Sequence, residues 1–119
     1  MGDRRQALGA AGEQVVADWY RRNGFDIVDR NWRCRDGELD LVAACGRTLV
    51  FCEVKTRRST RFGAPVEAVT REKQRRIRHL ATRWLDEHPA RGTDLRFDVA
   101  SVLWPRDGDP TVTVVEAAF

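Results

Sequence analysis

An apolar stripe at helical spacing predicts a helix over residues 6–23. The Asn23-Gly24 pair that follows supplies a helix stop. On a helical wheel Glu13 projects about 100–160° away from the stripe, on the flank that also carries Tyr20. The stripe consists of Leu8, Ala11, Gly12, Val15 and Trp19.

Two runs of alternating apolar and polar residues, 38–44 and 48–55, predict a β-hairpin. The intervening turn places Gly46 where positive φ is needed and pairs Cys45 with Thr48. One face is then wholly apolar and the other, facing solvent, carries three acids, whereas a one-residue slip would bury carboxylates. The expected pairs are Leu39–Val54, Leu41–Cys52 and Ala43–Val50 on the apolar face, and Glu38–Lys55, Asp40–Glu53 and Val42–Phe51 on the other.

The remaining elements complete an α/β pattern. We expect a short strand at 25–28, an irregular stretch at 56–68, a helix capped by Thr70 that ends near Glu87, and strands at 95–103 and 111–115. The order α-β-β-β-α-β-β predicts a central mixed β-sheet flanked by helices. A chain of 119 residues fits a single domain over 1–119.

Several aromatic and acidic positions have a structural interpretation. We expect Trp19, Trp84 and Phe97 in the core, whereas Trp32 in its basic stretch is open between covering the core and contacting nucleic acid. Asp98 is open between supporting a site on the neighbouring strand and pairing with an arginine.

Composition narrows the class of protein. Hydrophobic residues make up 42% of the chain, which favours a folded domain despite 33% charge. No apolar run approaches the ~18–20 residues of a membrane span, and no apolar stretch follows the first residues, which disfavours both a membrane span and a secretion signal. The three cysteines, Cys34, Cys45 and Cys52, have no C-x-x-C spacing, which disfavours disulfides and zinc. We therefore expect a cytoplasmic protein.

Charge is segregated along the chain. Residues 54–83 hold ten basic and two acidic residues, a balance of +8, so the net charge of +3 leaves −5 elsewhere. Such segregation indicates a face that binds polyanions, although a solvated surface produces the same pattern at least as often.

The expected pairing of Asp40 with Glu53 points to a metal ion. Directly opposite Cβ atoms lie ~4.5–5.5 Å apart, where like charges are destabilising. A divalent cation removes that repulsion, and Mg²⁺ is held by one or two carboxylates with waters and phosphate oxygens. Lys55 brings a compact ammonium to the same face, which suits a metal-bound water or a reacting phosphate.

Surface ion pairs offer a second interpretation of the same residues. An E-x-K triplet often marks a solvated strand face, Asp40 could pair with Arg33 or Arg35, and Glu38 with Lys55. The metal interpretation depends on the conjunction of both acids and the lysine on one face, an apolar reverse face, and a basic segment directly afterwards.

The motifs as a set resemble the YraN family of bacterial proteins, and the resemblance covers nearly the whole chain. It rests on Gly12-Glu13, Gly24-Phe25, Asn31-Trp32-Arg33-Cys34-Arg35, Gly37-Glu38-Leu39-Asp40-Leu41-Val42, Phe51-Cys52-Glu53-Val54-Lys55-Thr56-Arg57, Phe62-Gly63, Glu67-Ala68-Val69 and Lys73.

The resemblance implies a restriction-endonuclease-like fold, shared with archaeal Holliday-junction resolvases. It maps a nuclease signature of the PD-(D/E)-x-K type onto Asp40, Glu53 and Lys55. Glu13 matches the additional acid of resolvase-like members, and Leu39 stands where the generic signature has proline.

The expected function is therefore a metal-dependent endonuclease that hydrolyses phosphodiester bonds in structured or branched DNA. Mg²⁺ or Mn²⁺ would be held by Asp40, Glu53, Glu13 and the backbone carbonyl of Val54. Lys55 would orient the attacking water or stabilise the reacting phosphate. The flanking phosphates would be bound by Arg57, Arg58, Arg61, Arg71, Lys73 and Arg75.

Two other functions remain open on the sequence. The chain could be a nucleic-acid-binding protein that keeps the nuclease fold without cleaving, or a small interaction protein whose basic helix contacts an acidic partner. A resolvase acts on two strands of a junction, so that function also implies a homodimer.

Overall fold

In the part of the chain that the structure describes, two helices enclose a five-stranded mixed sheet. The computed structural model describes residues 3–59, 69–89 and 94–119. Strands are hydrogen-bonded in chain order, with β3 and β4 parallel and all other neighbours antiparallel. The predicted α/β fold and its element order are confirmed. The elements are α1 (Asp3–Arg22), β1 (Asp26–Cys34), β2 (Gly37–Cys45), β3 (Thr48–Arg57), α2 (Arg71–Glu87), β4 (Asp94–Leu103) and β5 (Thr111–Val115).

The local signals that bound the elements act as predicted. The hydroxyl of Thr70 accepts a hydrogen bond from the Lys73 amide at 3.2 Å and caps α2. Gly24, after α1, and Gly46, in the β2–β3 turn, have φ of +87° and +58°, which residues with a Cβ rarely adopt. Within the described part of the chain, neither helix has the length and apolar character that crossing a membrane requires.

Strand β1 extends six residues beyond its predicted end at Val28. The strand is irregular at two places: its register shifts between Ile27 and Asp29, and Asn31 has a positive φ of 51°. Because these irregularities interrupt the alternation of inward and outward side chains, the sequence of β1 lacks a regular two-residue period. Trp32 lies in this extension and packs against the core on the α2 side. Of the two roles left open for Trp32, covering the core is therefore the one observed.

The predicted hairpin register is confirmed from Cys45–Thr48 to Leu41–Cys52. The expectation of one solvent-facing side is wrong, because each face is covered by a helix. The core on the α1 side contains Val16, Ala17, Tyr20, Leu41, Ala43, Val50, Cys52, Ala100 and Val102. The core on the α2 side contains Leu39, Val42, Leu49, Phe51, Val69, Ile77, Leu80, Ala81, Trp84, Phe97 and Val99.

Leu39 corrects the predicted facing of β2. It was expected beside Leu41, but it packs with Val42 in the core on the α2 side, whereas Leu41 belongs to the α1 side. The alternation of the strand therefore shifts at Asp40, between the two leucines.

Helix α1 turns a different face to the sheet than the predicted stripe. Its fully buried side chains are Val16, Ala17 and Tyr20, whereas Trp19 is only partly buried. Glu13 lies at a helical angle between those of Tyr20 and Ala17. The same flank that the sequence assigned to Glu13 and Tyr20 is thus the flank that meets the sheet.

Asp98 is fully buried and fastens α1 to β4. It accepts a hydrogen bond from the Tyr20 hydroxyl at 2.6 Å and two from the Arg96 guanidinium at 2.9 and 3.0 Å. Burial raises the pKa of Tyr20, so the phenol remains a donor. Of the two alternatives for Asp98, pairing with an arginine is the one observed.

Gly12 brings α1 into close contact with β3. A Cβ at this position would lie 1.9 Å from Oγ1 and 2.9 Å from Cβ of Thr56. The adjacent Glu13 is therefore held at a short distance from the sheet by the absence of a side chain at residue 12.

We expect Gly12→Ala to destabilise the protein by about 1–3 kcal/mol, because α1 must move away from Thr56. Gly9→Ala is the matched control, since nothing lies within 4 Å of a Cβ built there. It should be neutral or stabilise by up to about 1 kcal/mol through helix propensity. Urea denaturation of both variants measures the difference, and equal effects would contradict the close contact.

Candidate functional site

Asp40 lies where the β2–β3 ladder ends. The ladder pairs run as far as Leu41–Cys52. At the next position, Oδ2 of Asp40 accepts a hydrogen bond from the backbone amide of Val54 at 2.9 Å. The side chain thereby joins the two strands and is fixed beside Glu53.

Four carboxylates from three elements meet around Asp40. Its carboxyl group is in hydrogen-bonding contact with that of Glu53. One oxygen each from Glu13 of α1, Glu38 of β2 and Asp40 lies within 4.8 Å of the other two. The structure therefore brings together the three acids that the sequence singled out, and adds Glu38.

Burial and mutual repulsion resist ionisation in this cluster. Burial raises the pKa of Asp40 to about 7, with further increases from the charges of Glu53 and Glu13, and the Val54 amide opposes them. Burial also raises the pKa of Glu13, against a hydrogen bond from Asn31 that lowers it. A divalent cation bound here would therefore displace protons from the carboxyl groups of Asp40 and Glu13.

Two lysines share one oxygen of Glu53. Lys73 Nζ lies 2.9 Å and Lys55 Nζ 3.4 Å from Glu53 Oε1, and the Glu53 side chain is only 12% exposed. Burial and the neighbouring Lys73 lower the pKa of Lys55, although Glu53 opposes the shift. The negative charge of Glu53 is therefore shared by two ammonium groups from β3 and α2.

Lys73 and Glu38 lie at the cluster, which the sequence did not predict. The sequence placed Lys73 among the residues that bind the flanking phosphates, and it offered an ion pair with Lys55 as one alternative for Glu38. Lys73 occupies the first turn of α2, where the helix dipole disfavours a cation, and that unfavourable placement was a usable signal. Glu38 instead accepts a hydrogen bond from Arg33 Nε at 2.7 Å. Arg33, one of the two arginines considered as a partner for Asp40, therefore pairs with Glu38.

The donor set fits a hard divalent cation. Carboxylate oxygens are the ligands that Mg²⁺ and Mn²⁺ prefer. Ligand oxygens of one Mg²⁺ lie at most ~4.2 Å apart, since each bond is about 2.1 Å. The oxygens of Glu13, Glu38 and Asp40, all within 4.8 Å of one another, come close to that spacing. The Val54 amide is at the site, and its carbonyl as a ligand stays a prediction.

The predicted phosphate-binding residues separate into groups. Arg71 and Arg75 are exposed on the first turns of α2, and Lys73 contacts Glu53. Arg57 and Arg58 line a groove instead, and Arg61 lies outside the described residues.

This groove, the N-terminal groove, encloses about 990 Å³ between the first half of α1, the end of β3 and the segment after β4. Glu13 and Val54 also line it, so it adjoins the carboxylate cluster. Three further arginines of the lining, Arg4, Arg5 and Arg106, were not identified from the sequence. The Arg4-Arg5 pair opening an amphipathic helix was the available signal.

Fold and site together define a small α/β protein with a mixed sheet and a carboxylate cluster suited to a divalent cation. Residues 12–102 match the model of the uncharacterised protein family UPF0102. This segment contains all four acids and both lysines of the site.

Curated relatives agree over almost the whole chain. A UPF0102 protein of Beutenbergia cavernae is 57% identical over 104 residues, which cover 87% of this chain and 88% of the relative. One of Frankia casuarinae is 52% identical over 115 residues, 97% of this chain and 98% of the relative. The chain belongs to family UPF0102, which is the YraN family. The resemblance to that family, based on the sequence motifs, is confirmed.

We expect Asp40→Asn to stabilise the metal-free protein more at pH 8 than at pH 5. Because the folded-state pKa of about 7 exceeds that of the unfolded chain, stability falls as pH rises toward 7 and stays lowered above it. The amide removes this charge, so its advantage should increase by about 2 kcal/mol between the two pH values.

Urea denaturation in EDTA measures this effect. Asp86→Asn is the control, because Asp86 is an exposed aspartate near the end of α2 and lies outside the carboxylate cluster. That variant should show no gain at pH 8. An Asp40→Asn advantage independent of pH would contradict the buried, repelled carboxylate.

Proposed function

We propose that this protein is a metal-dependent endonuclease that hydrolyses phosphodiester bonds in structured or branched DNA. The observation that carries the proposal is the placement of Asp40, in contact with Glu53 and tied to the Val54 amide, in a cluster that also holds two lysines. Like charges brought together at half-buried positions cost stability, and a cation-dependent reaction on a polyanion accounts for that cost.

The carboxylates prepare the site for an anionic substrate. The ionised carboxylates would repel a phosphodiester, so Asp40, Glu53, Glu13 and Glu38 act by binding Mg²⁺ or Mn²⁺ with oxygen ligands. When bound, the ion supplies charge neutralisation of the phosphate and a lower pKa for an attacking water. The Val54 amide keeps Asp40 oriented toward Glu53 throughout.

The lysines act on the side of Glu53. Lys55 can donate hydrogen bonds to a non-bridging phosphate oxygen, and its lowered pKa also favours release of a proton. Lys73 remains with Glu53 and holds that carboxylate in place while Lys55 turns toward substrate. Lys55 is thus the catalytic residue and Lys73 a positioning residue.

Exposed arginines of α2 and the N-terminal groove bind the flanking strand. Contacts between guanidinium groups and phosphates give affinity with little sequence preference. Action on both strands of a branched substrate would require two copies of the chain, so we include a homodimer on DNA in the proposal.

We expect the purified protein to cleave a labelled four-way junction with Mg²⁺ or Mn²⁺ and not with EDTA. Asp40→Asn and Glu53→Gln should each reduce the cleavage rate by at least about 100-fold, because each removes charge at the reacting centre. Lys55→Met should produce a loss of similar size. Duplex and single-stranded DNA of the same length are compared in parallel.

Glu72→Gln is the matched control for charge. Glu72 is exposed in the first turn of α2, next to Lys73 in sequence. Its cleavage rate should stay within about twofold of the unmodified protein. Cleavage that survives Glu53→Gln would reject the site. Binding without cleavage under either metal would favour a non-catalytic nucleic-acid-binding protein.

A further inference from the structure

The N-terminal groove is lined by both apolar and arginine side chains. Among the described lining residues, Leu8, Val54 and Trp104 are apolar and form what we call the floor, and five are arginines, which we call the rim. Glu13 is the sole acid among these described residues, and it belongs to the carboxylate cluster. An anion bound along the groove therefore leads directly to the candidate metal site.

The arginine rim is suited to phosphate groups. A guanidinium is planar, permanently charged and able to bind phosphate through two hydrogen bonds. Arg58 Nη1 donates to the backbone carbonyl of Trp104 at 3.1 Å, which ties this guanidinium to the segment after β4. The rim consists of Arg4, Arg5, Arg57, Arg58 and Arg106.

Trp104 gives the floor an aromatic surface. The residue is half-buried and packs against the core on the α1 side, and it also lines the groove. Aromatic floors bind the faces of unstacked bases, which every base offers regardless of sequence. A duplex keeps those faces inside its base stack, so a paired substrate would leave such a floor unused.

The size of the groove favours a short flexible strand. Its volume of about 990 Å³ lies at the upper end of the range of ~300–1,000 Å³ typical of small-ligand sites. That space suits a few nucleotides rather than the body of a double helix.

We propose that the N-terminal groove binds an unpaired segment of nucleic acid adjoining the scissile phosphate, with bases on Trp104 and phosphates on the arginine rim. This inference rests on the proposed nuclease function and narrows its substrate to DNA with an unpaired strand at the cleavage position. The groove directs that strand past Glu13 into the carboxylate cluster.

Equilibrium binding in EDTA tests the groove without requiring cleavage. The probes are fluorescently labelled DNAs: a blunt duplex, the same duplex with a single-stranded tail, and the tail alone. We expect the tailed duplex to bind at least about fivefold more tightly than the blunt duplex, as a stacked base would contribute.

Groove variants should remove the preference for the tail. Trp104→Leu and Arg106→Glu should each weaken tailed-duplex binding at least about fivefold and leave blunt-duplex binding nearly unchanged. Trp104→Phe should restore most of the preference, because stacking needs an aromatic ring. Arg22→Glu is the matched charge control, about 25 Å from Arg5 along the same helix.

Three results would overturn the inference. Equal binding of blunt and tailed duplexes is one, and equal losses on both DNAs in Trp104→Leu and Arg106→Glu is another. Polyglutamate that competes as well as a single strand of equal charge is the third, because it would show a general polyanion site.

Failure of the two proposals is distinguishable. A tail preference that depends on Trp104, without cleavage under any metal, would retain the groove and reject the nuclease. Metal-dependent cleavage without any tail preference would retain the nuclease and reject the groove.

Discussion

Repulsion among half-buried carboxylates is the constraint around which the other parts of the structure are arranged. The β2–β3 ladder stops at the pair Leu41–Cys52, one position before Asp40. Asp40 lies against Glu53 because the Val54 amide donates a hydrogen bond to Oδ2 of Asp40. Burial then raises the pKa of Asp40 toward neutrality. Such an arrangement lowers the stability of the metal-free fold, and it becomes favourable only when a cation or protons occupy the cluster.

The scaffold keeps the acids together in spite of their repulsion. Gly12 lets α1 approach β3 closely, and the buried Asp98 binds Tyr20 of the same helix, so Glu13 is carried to the sheet on a rigid element. From the opposite face, α2 presents Lys73 to Glu53. Two helices on opposite faces therefore meet at one end of the β2–β3 pair and supply opposite charges to it.

The N-terminal groove and the carboxylate cluster share Glu13, which links binding to chemistry. On the proposed function, the arginines of the groove would attract an anionic strand, whereas the carboxylate cluster would repel it until a cation is bound. This division of charge would reconcile a net charge of only +3 with a polyanionic substrate.

The sequence by itself determined the element order, the hairpin register and the Thr70 cap, because period, turn residues and caps are local properties of the chain. It also singled out Asp40, Glu53 and Lys55, with Glu13 added by the family resemblance, and the fold brings these side chains close together. Only the tertiary structure decided the extent of β1, which side of the sheet Leu39 faces, and the arrival of Lys73 and Glu38 at the cluster. Local spacing cannot report where the alternation of a strand shifts, or which helix covers which side, since both depend on packing between elements distant in the chain.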